Sequence, residues 1–154
     1  MNRLMIAASA FALLASPALA LELTQVPPHV LEVAKHYAPE AHWESAGTDF
    51  DTQAMWPEYE IAGKLPNGAA IEVDVTPEGD LHEVETAIEA SAVPEPVMKL
   101  LGVYLPGFTP TLVEMSTRPN AVFYEFEGTV NGREIDVEVN AAGTAIVIAD
   151  DAAI

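Results

Sequence analysis

The chain has 154 residues, with 24 Asp or Glu against six Lys or Arg, a formal net charge of −18 and no cysteine. So acidic a surface repels nucleic acid and anionic lipid, and it favours basic partners or cations. Half of the residues are hydrophobic, enough for a packed core held without disulfides, and thiolate chemistry is excluded.

In chain order, the first segment is a positive start (Met1 to Arg3), then an uncharged, mostly apolar run of eleven residues from Leu4 to Leu14, then the small-residue pattern Ala18-Leu19-Ala20. That order predicts a signal peptide over 1–20, cleaved after Ala20, and an exported protein, periplasmic or secreted. Eleven apolar residues cover about half of a ~30 Å hydrocarbon core, so no stable membrane anchor is expected.

Beyond Ala20 the chain resembles itself. Val26-Pro27 recurs as Val93-Pro94, Tyr37 as Tyr104 and Pro39 as Pro106, all at an offset of 67 residues. Tyr59-Glu60-Ile61 recurs as Tyr124-Glu125-Phe126, and Asn67-Gly68 recurs as Asn131-Gly132. Ile71, Val73 and Val75 recur as Ile135, Val137 and Val139, in unbroken order. Self-similarity of this kind predicts a duplication, with one repeat over 21–90 and a second over 91–154.

Each copy opens on an amphipathic helix. Val30, Leu31, Val33, Ala34, Tyr37 and Ala38 form the stripe in copy one. Val97, Met98, Leu100, Leu101, Tyr104 and Leu105 form it in copy two. Thr24 and Ser91 are candidate N-caps, and Pro39 and Pro106 end the helices. A strand of unclear register is expected near Trp43 to Phe50 and near Thr111 to Ser116. Then Tyr59 to Leu65, the Asn67-Gly68 turn and Ile71 to Val75 alternate as a hairpin, as do Tyr124 to Val130, Asn131-Gly132 and Ile135 to Val139. A last strand covers Leu81 to Ile88 or Ala145 to Ala149. The expected fold class is α+β: two tandem repeats, each one helix packed on a mainly antiparallel four-stranded sheet with one open face. A copy of about 65 residues is marginal alone, so the two share a sheet or pack side by side.

The Val-Pro helix ending in Tyr37-Ala38-Pro39 and Tyr104-Leu105-Pro106, followed by Tyr59-Glu60-Ile61, Asn67-Gly68, Ile71-Glu72-Val73-Asp74-Val75 and Glu78-Gly79, resembles the PepSY-like, beta-lactamase-inhibitor-like domains of exported bacterial proteins. The resemblance covers nearly all of the chain after Ala20. It implies small exported modules that bind or inhibit other proteins through an open sheet. The shared positions are core and turn, so no catalytic or binding residue carries over. The chain departs from the pattern at Ala141-Ala142-Gly143, which lacks the usual acid, and in a longer aromatic segment from Asp49 to Pro57.

No nucleophile-and-base set, phosphate loop or zincin motif occurs, so no enzymatic activity and no cofactor is expected. His29 and His36 lie two helical turns apart, about 10.5 Å, too far for one metal. Glu32 and His36 read as a solvated helix pair. His82 is expected half-buried beside Val84. Asp74, Glu78 and Asp80 bracket a turn but lack the closing Glu of an EF-hand, and no metal ligand is assigned.

Alternation places Glu60, Lys64, Glu72, Asp74, Glu83 and Glu85 on the open face of copy one, and Phe123, Glu125, Glu127, Glu134, Asp136 and Glu138 on that of copy two. Carboxylates on neighbouring strands there lie about 5 Å apart and repel. Such a face either docks a basic surface or a cation, or is an ordinary solvated face that discourages aggregation. Trp43, Phe50, Met55 and Trp56 form an aromatic group that is either an interface anchor or core. The functional expectation is a non-enzymatic binding or inhibitory module. It engages an unknown protein with a basic surface through Glu60, Glu72, Asp74, Glu83, Glu85, Phe123, Glu125, Glu127, Glu134, Asp136, Glu138, Trp43 and Trp56. The alternative is a calcium- or transition-metal-binding or sensing protein of the cell envelope.

Overall fold

The computed structural model describes residues 20–51 and 56–150, so the expected signal peptide, apart from its last residue Ala20, and Met55 lie outside the described residues. Helix α1 spans Pro28–Tyr37 and is followed by strands β1 (His42–Asp51), β2 (Trp56–Lys64), β3 (Ala70–Val75) and β4 (Leu81–Ala87). Helix α2 spans Glu95–Tyr104 and is followed by β5 (Thr109–Arg118), β6 (Ala121–Val130), β7 (Arg133–Asn140) and β8 (Ile146–Asp150).

All eight strands form one antiparallel sheet in the order β1 to β8, each paired with its neighbour in the chain. This overturns the expectation of two units, each a helix on its own four-stranded sheet. The join is the pairing of Val84 to Ala87 on β4 with Glu114 to Thr117 on β5. Two separate sheets would leave two further edges, with rows of unsatisfied backbone N–H and C=O groups. Pairing them removes those edges and merges two cores too small to stand alone.

Both helices lie on one face. Val26, Val30 and Ala34 pack with Ala46, Ile61, Val73 and Val75. Val93, Val97 and Leu101 pack with Val113, Tyr124, Phe126, Ile135, Val137 and Val139. The inward positions are the alternating apolar residues of each strand, as a period of two requires. Tyr37 and Tyr104, expected in the helix stripes, are exposed. The N-cap positions are Pro27 and Pro94, not Thr24 and Ser91, which lie in short 3-10 turns (Leu23–Gln25 and Ala90–Ala92) ahead of each helix.

Two glycines fix a shared irregularity. Strand β1 is irregular in register between Trp43 and Ser45, beside Gly63, and β5 between Pro110 and Leu112, beside Gly128. A Cβ on Gly63 would run into the His42 carbonyl, and one on Gly128 into the Thr109 carbonyl. Only glycine lets the bulged strand come this close.

Candidate functional site

The second face of the sheet carries the carboxylates. Strand register sets them opposite one another: Glu60 faces Asp74, Asp74 faces Glu83, and Glu72 faces Glu85. Glu114 faces Glu125, Glu125 faces Glu138, and Glu127 faces Asp136. Like charges in directly opposed pairs destabilise a sheet. The face is therefore not the cheapest way to keep a sheet soluble.

All the acidic residues expected on this face share it. Phe123 joins them, opposite Ser116. Glu134 sits at the exposed end of the row, and Lys64 sits at the rim, paired with Glu44 at 3.3 Å. Trp43 does not belong to it. It is partly buried against the Val26–Val75 cluster on the helix side, opposite Gly63. For Trp56 only the backbone place at the start of β2 is described.

The face is also drier than a solvated one. Glu58, Asp74, Glu83, Glu85, Glu114 and Ser116 are buried, with Glu85 2% and Asp74 5% exposed. Among the described residues no helix covers them, so the packed side chains shield one another. Strand β4 adds a bulge at its start, where Asp74 faces Glu83 but Val75 faces Leu81. The extra residue is His82. Instead of lying beside Val84, its Nδ1–H donates to Glu58 Oε2 at 2.6 Å.

Arg118, at the end of β5, holds the centre. Its Nε donates to Glu83 Oε2 at 2.8 Å, and its Nη2 donates to Glu138 Oε2 at 2.5 Å and to Glu125 Oε1 at 3.4 Å. The guanidinium lies 4.3 Å from the centre of the Phe123 ring, within cation–π range. Ser116 Oγ donates to the same Glu83 oxygen at 2.5 Å. Burial alone would lower the pKa of Arg118, but Glu83 and Glu138 outweigh it and hold the group charged.

One guanidinium does not neutralise this many acids. Burial, with neighbouring Asp49 and Glu58, lifts Glu60 to about 7. Burial with Glu60 and Glu83 lifts Glu72 to about 8. Glu114 rises to about 8 through burial, Glu125 and Glu72. Burial and Glu83 carry Glu125 to about 7, against a hydrogen bond from Glu85 that lowers it. Asp74 and Glu85 are pushed well above the carboxylate range, chiefly by burial. Asp74 Oδ1 is buried with no hydrogen-bond partner. An orphaned buried acceptor costs about 1–3 kcal/mol.

Glu58, His82, Glu114, Ser116 and Arg118 were not among the expected face residues. For β5 a signal existed. Glu114, Ser116 and Arg118 alternate with Val113 and Met115, which is the period of a half-buried strand. The bulge that turns His82 leaves no such mark.

An open antiparallel sheet with two helices on one face and a packed carboxylate strip on the other defines the class: a small protein with an exposed, charged sheet surface. No family model matches the chain, and no curated protein does. Solved structures do. A DUF2874 family protein from Bacteroides uniformis matches with a TM-score of 0.64 and 16% identity, over 81% of this chain and 89% of that one. A BLIP-like protein from Bacteroides fragilis matches with a TM-score of 0.61 and 17% identity, over 83% and 90%. A protein of Bacteroides eggerthii described as periplasmic matches with a TM-score of 0.64 and 15% identity, over 81% and 88%. The chain therefore has the fold of the DUF2874 and BLIP-like proteins. None of its described helices is long and apolar enough to cross a membrane.

Proposed function

We propose that this chain is an exported, non-enzymatic binding module that docks the basic surface of a protein partner on its acidic sheet face. The observation that carries this reading is the row of opposed carboxylates from Glu60 to Glu138. It lies on a face that neither described helix covers, at a standing electrostatic cost. A Lys or Arg presented by a partner would remove that cost, and the gain would appear as affinity and as a fast, salt-dependent association rate. Phe123, already stacked under Arg118, offers an aromatic contact beside the charges. A BLIP-like neighbour and one described as periplasmic support a binding role outside the cytoplasm. The test is a pull-down from the exported fraction with the wild type and with a Glu60→Lys/Glu127→Lys variant, each at low and high salt. The reading expects a specific partner that is lost from the variant and released from the wild type as salt rises. A partner held equally by both chains, indifferent to salt, would remove it.

A further inference from the structure

Among the described residues, two groups of three carboxylates have converging oxygens, all within 4.8 Å of one another: Glu72, Asp74 and Glu85, and Glu83, Glu85 and Glu125. They are not equivalent. In the second, Glu83 already accepts from Ser116 and Arg118, and Glu125 accepts from Arg118. In the first, Asp74 is 5% exposed and its Oδ1 has no hydrogen-bond partner. Arg118 reaches Glu83, Glu125 and Glu138, none of which belongs to this group.

The backbone sets this convergence. Glu72 and Asp74 are alternate residues of β3 and so point the same way, and Glu85 on β4 lies directly opposite Glu72. Glu60 on β2, opposite Asp74, borders the group. Glu72 is only half-buried, which leaves a way in from solvent.

We infer that Glu72, Asp74 and Glu85 form a site for a calcium-sized divalent cation. The donors are all carboxylate oxygens, with neither nitrogen nor sulfur, which selects a hard ion over zinc or copper. Coordination habit separates the hard ions: Mg²⁺ demands near-ideal octahedral geometry and dehydrates reluctantly, whereas Ca²⁺ accepts several carboxylates in an irregular shell. Three convergent carboxylates fixed by the register of two strands suit the more tolerant ion. Water and Glu60 would complete the shell. The ion gives Asp74 Oδ1 its missing partner and displaces the protons that burial favours on these acids.

This site lies within the proposed docking face, and the experiment keeps the two readings separable. Calcium and magnesium are titrated by calorimetry into the chelator-stripped chain, wild type and Asp74→Asn, Glu72→Gln and Glu134→Gln variants. Glu134 is the control, acidic and on the same face but exposed. The expected result is about one Ca²⁺ per chain with Kd on the order of 10⁻⁴ M, and Mg²⁺ at least tenfold weaker. Asp74→Asn and Glu72→Gln each weaken calcium about tenfold or more, and Glu134→Gln less than twofold. Circular dichroism checks each variant, and if Asp74→Asn does not fold, Glu72→Gln carries the result. No calcium binding, magnesium binding as tightly, or equal weakening in all three variants overturns the site. The last outcome means diffuse attraction to an acidic face. Binding of a lysine-rich peptide in EDTA, read by fluorescence anisotropy, reports on partner docking alone.

Discussion

Replacing Glu114 by Gln should stabilise the protein in alkaline solution and leave it almost unchanged in acid. Glu114 is 4% exposed, and burial together with Glu125 and Glu72 lifts its pKa from 4.5 to about 8. In the unfolded chain the group ionises near 4.5. In the folded chain it stays protonated until about pH 8, so the folded state holds the extra proton between those values. Its contribution to stability is therefore fully present in acid and is lost as pH rises from about 4.5 to about 8. At about 1.36 kcal/mol per pKa unit, the full loss is up to about 5 kcal/mol, and relaxation of the site brings the working figure to about 2–3 kcal/mol. Glutamine has the same shape, cannot ionise, and can donate to Glu125 across the strands. Thermal unfolding in EDTA at pH 5 and pH 8.5 reads the effect. The melting temperature should rise by about 6–15 °C at pH 8.5 and change little at pH 5. An equal shift at both pH values, or a loss at pH 8.5, would refute the reasoning.

Removing the central cation should act the other way. Arg118→Met leaves Glu83, Glu125 and Glu138 without their shared donor, and the expected loss is about 3–5 kcal/mol in urea unfolding at pH 8, smaller at pH 5. Salt should help this protein: raising NaCl to about 1 M, where the Debye length is about 3 Å, should increase the melting temperature at pH 8.5 by screening the opposed carboxylates, most strongly those nearest solvent. On the other face, Phe126 is 1% exposed at the centre of the α2 core, and Phe126→Ala should cost about 3–5 kcal/mol by urea unfolding at any pH.

The helices and hairpins were legible because their patterns are local. Val30 and Ala34 mark a helix face, and Ile71-Glu72-Val73-Asp74-Val75 marks a strand with one oily side. The acidic face followed from that alternation alone, since residues two apart must share a side. What could not be read was set by pairing between distant segments. Nothing within Val84 to Ala87 says that Glu114 to Thr117 will lie beside it, so the choice between one shared sheet and two sheets side by side stayed open. The burial of Asp74 and Glu85 was missed for a related reason. A Glu at an outward position reads as wet until the neighbouring strands, with their own long acids, are known to crowd it. His82 needed a bulge, and a bulge shifts which side each residue takes without changing the composition of the strand.

Because every strand hydrogen-bonds only to the strands before and after it in the chain, the sheet behaves like a strip of ribbon cut to length. A hairpin added at the β8 end would disturb no existing pairing, whereas deleting β7 and β8 would take Glu138 from Arg118 and Ile135, Val137 and Val139 from the α2 core. The reach of the charged surface is thus an adjustable dimension. Its width grows with each hairpin added, while the chemistry at its middle, around Arg118, stays where it is.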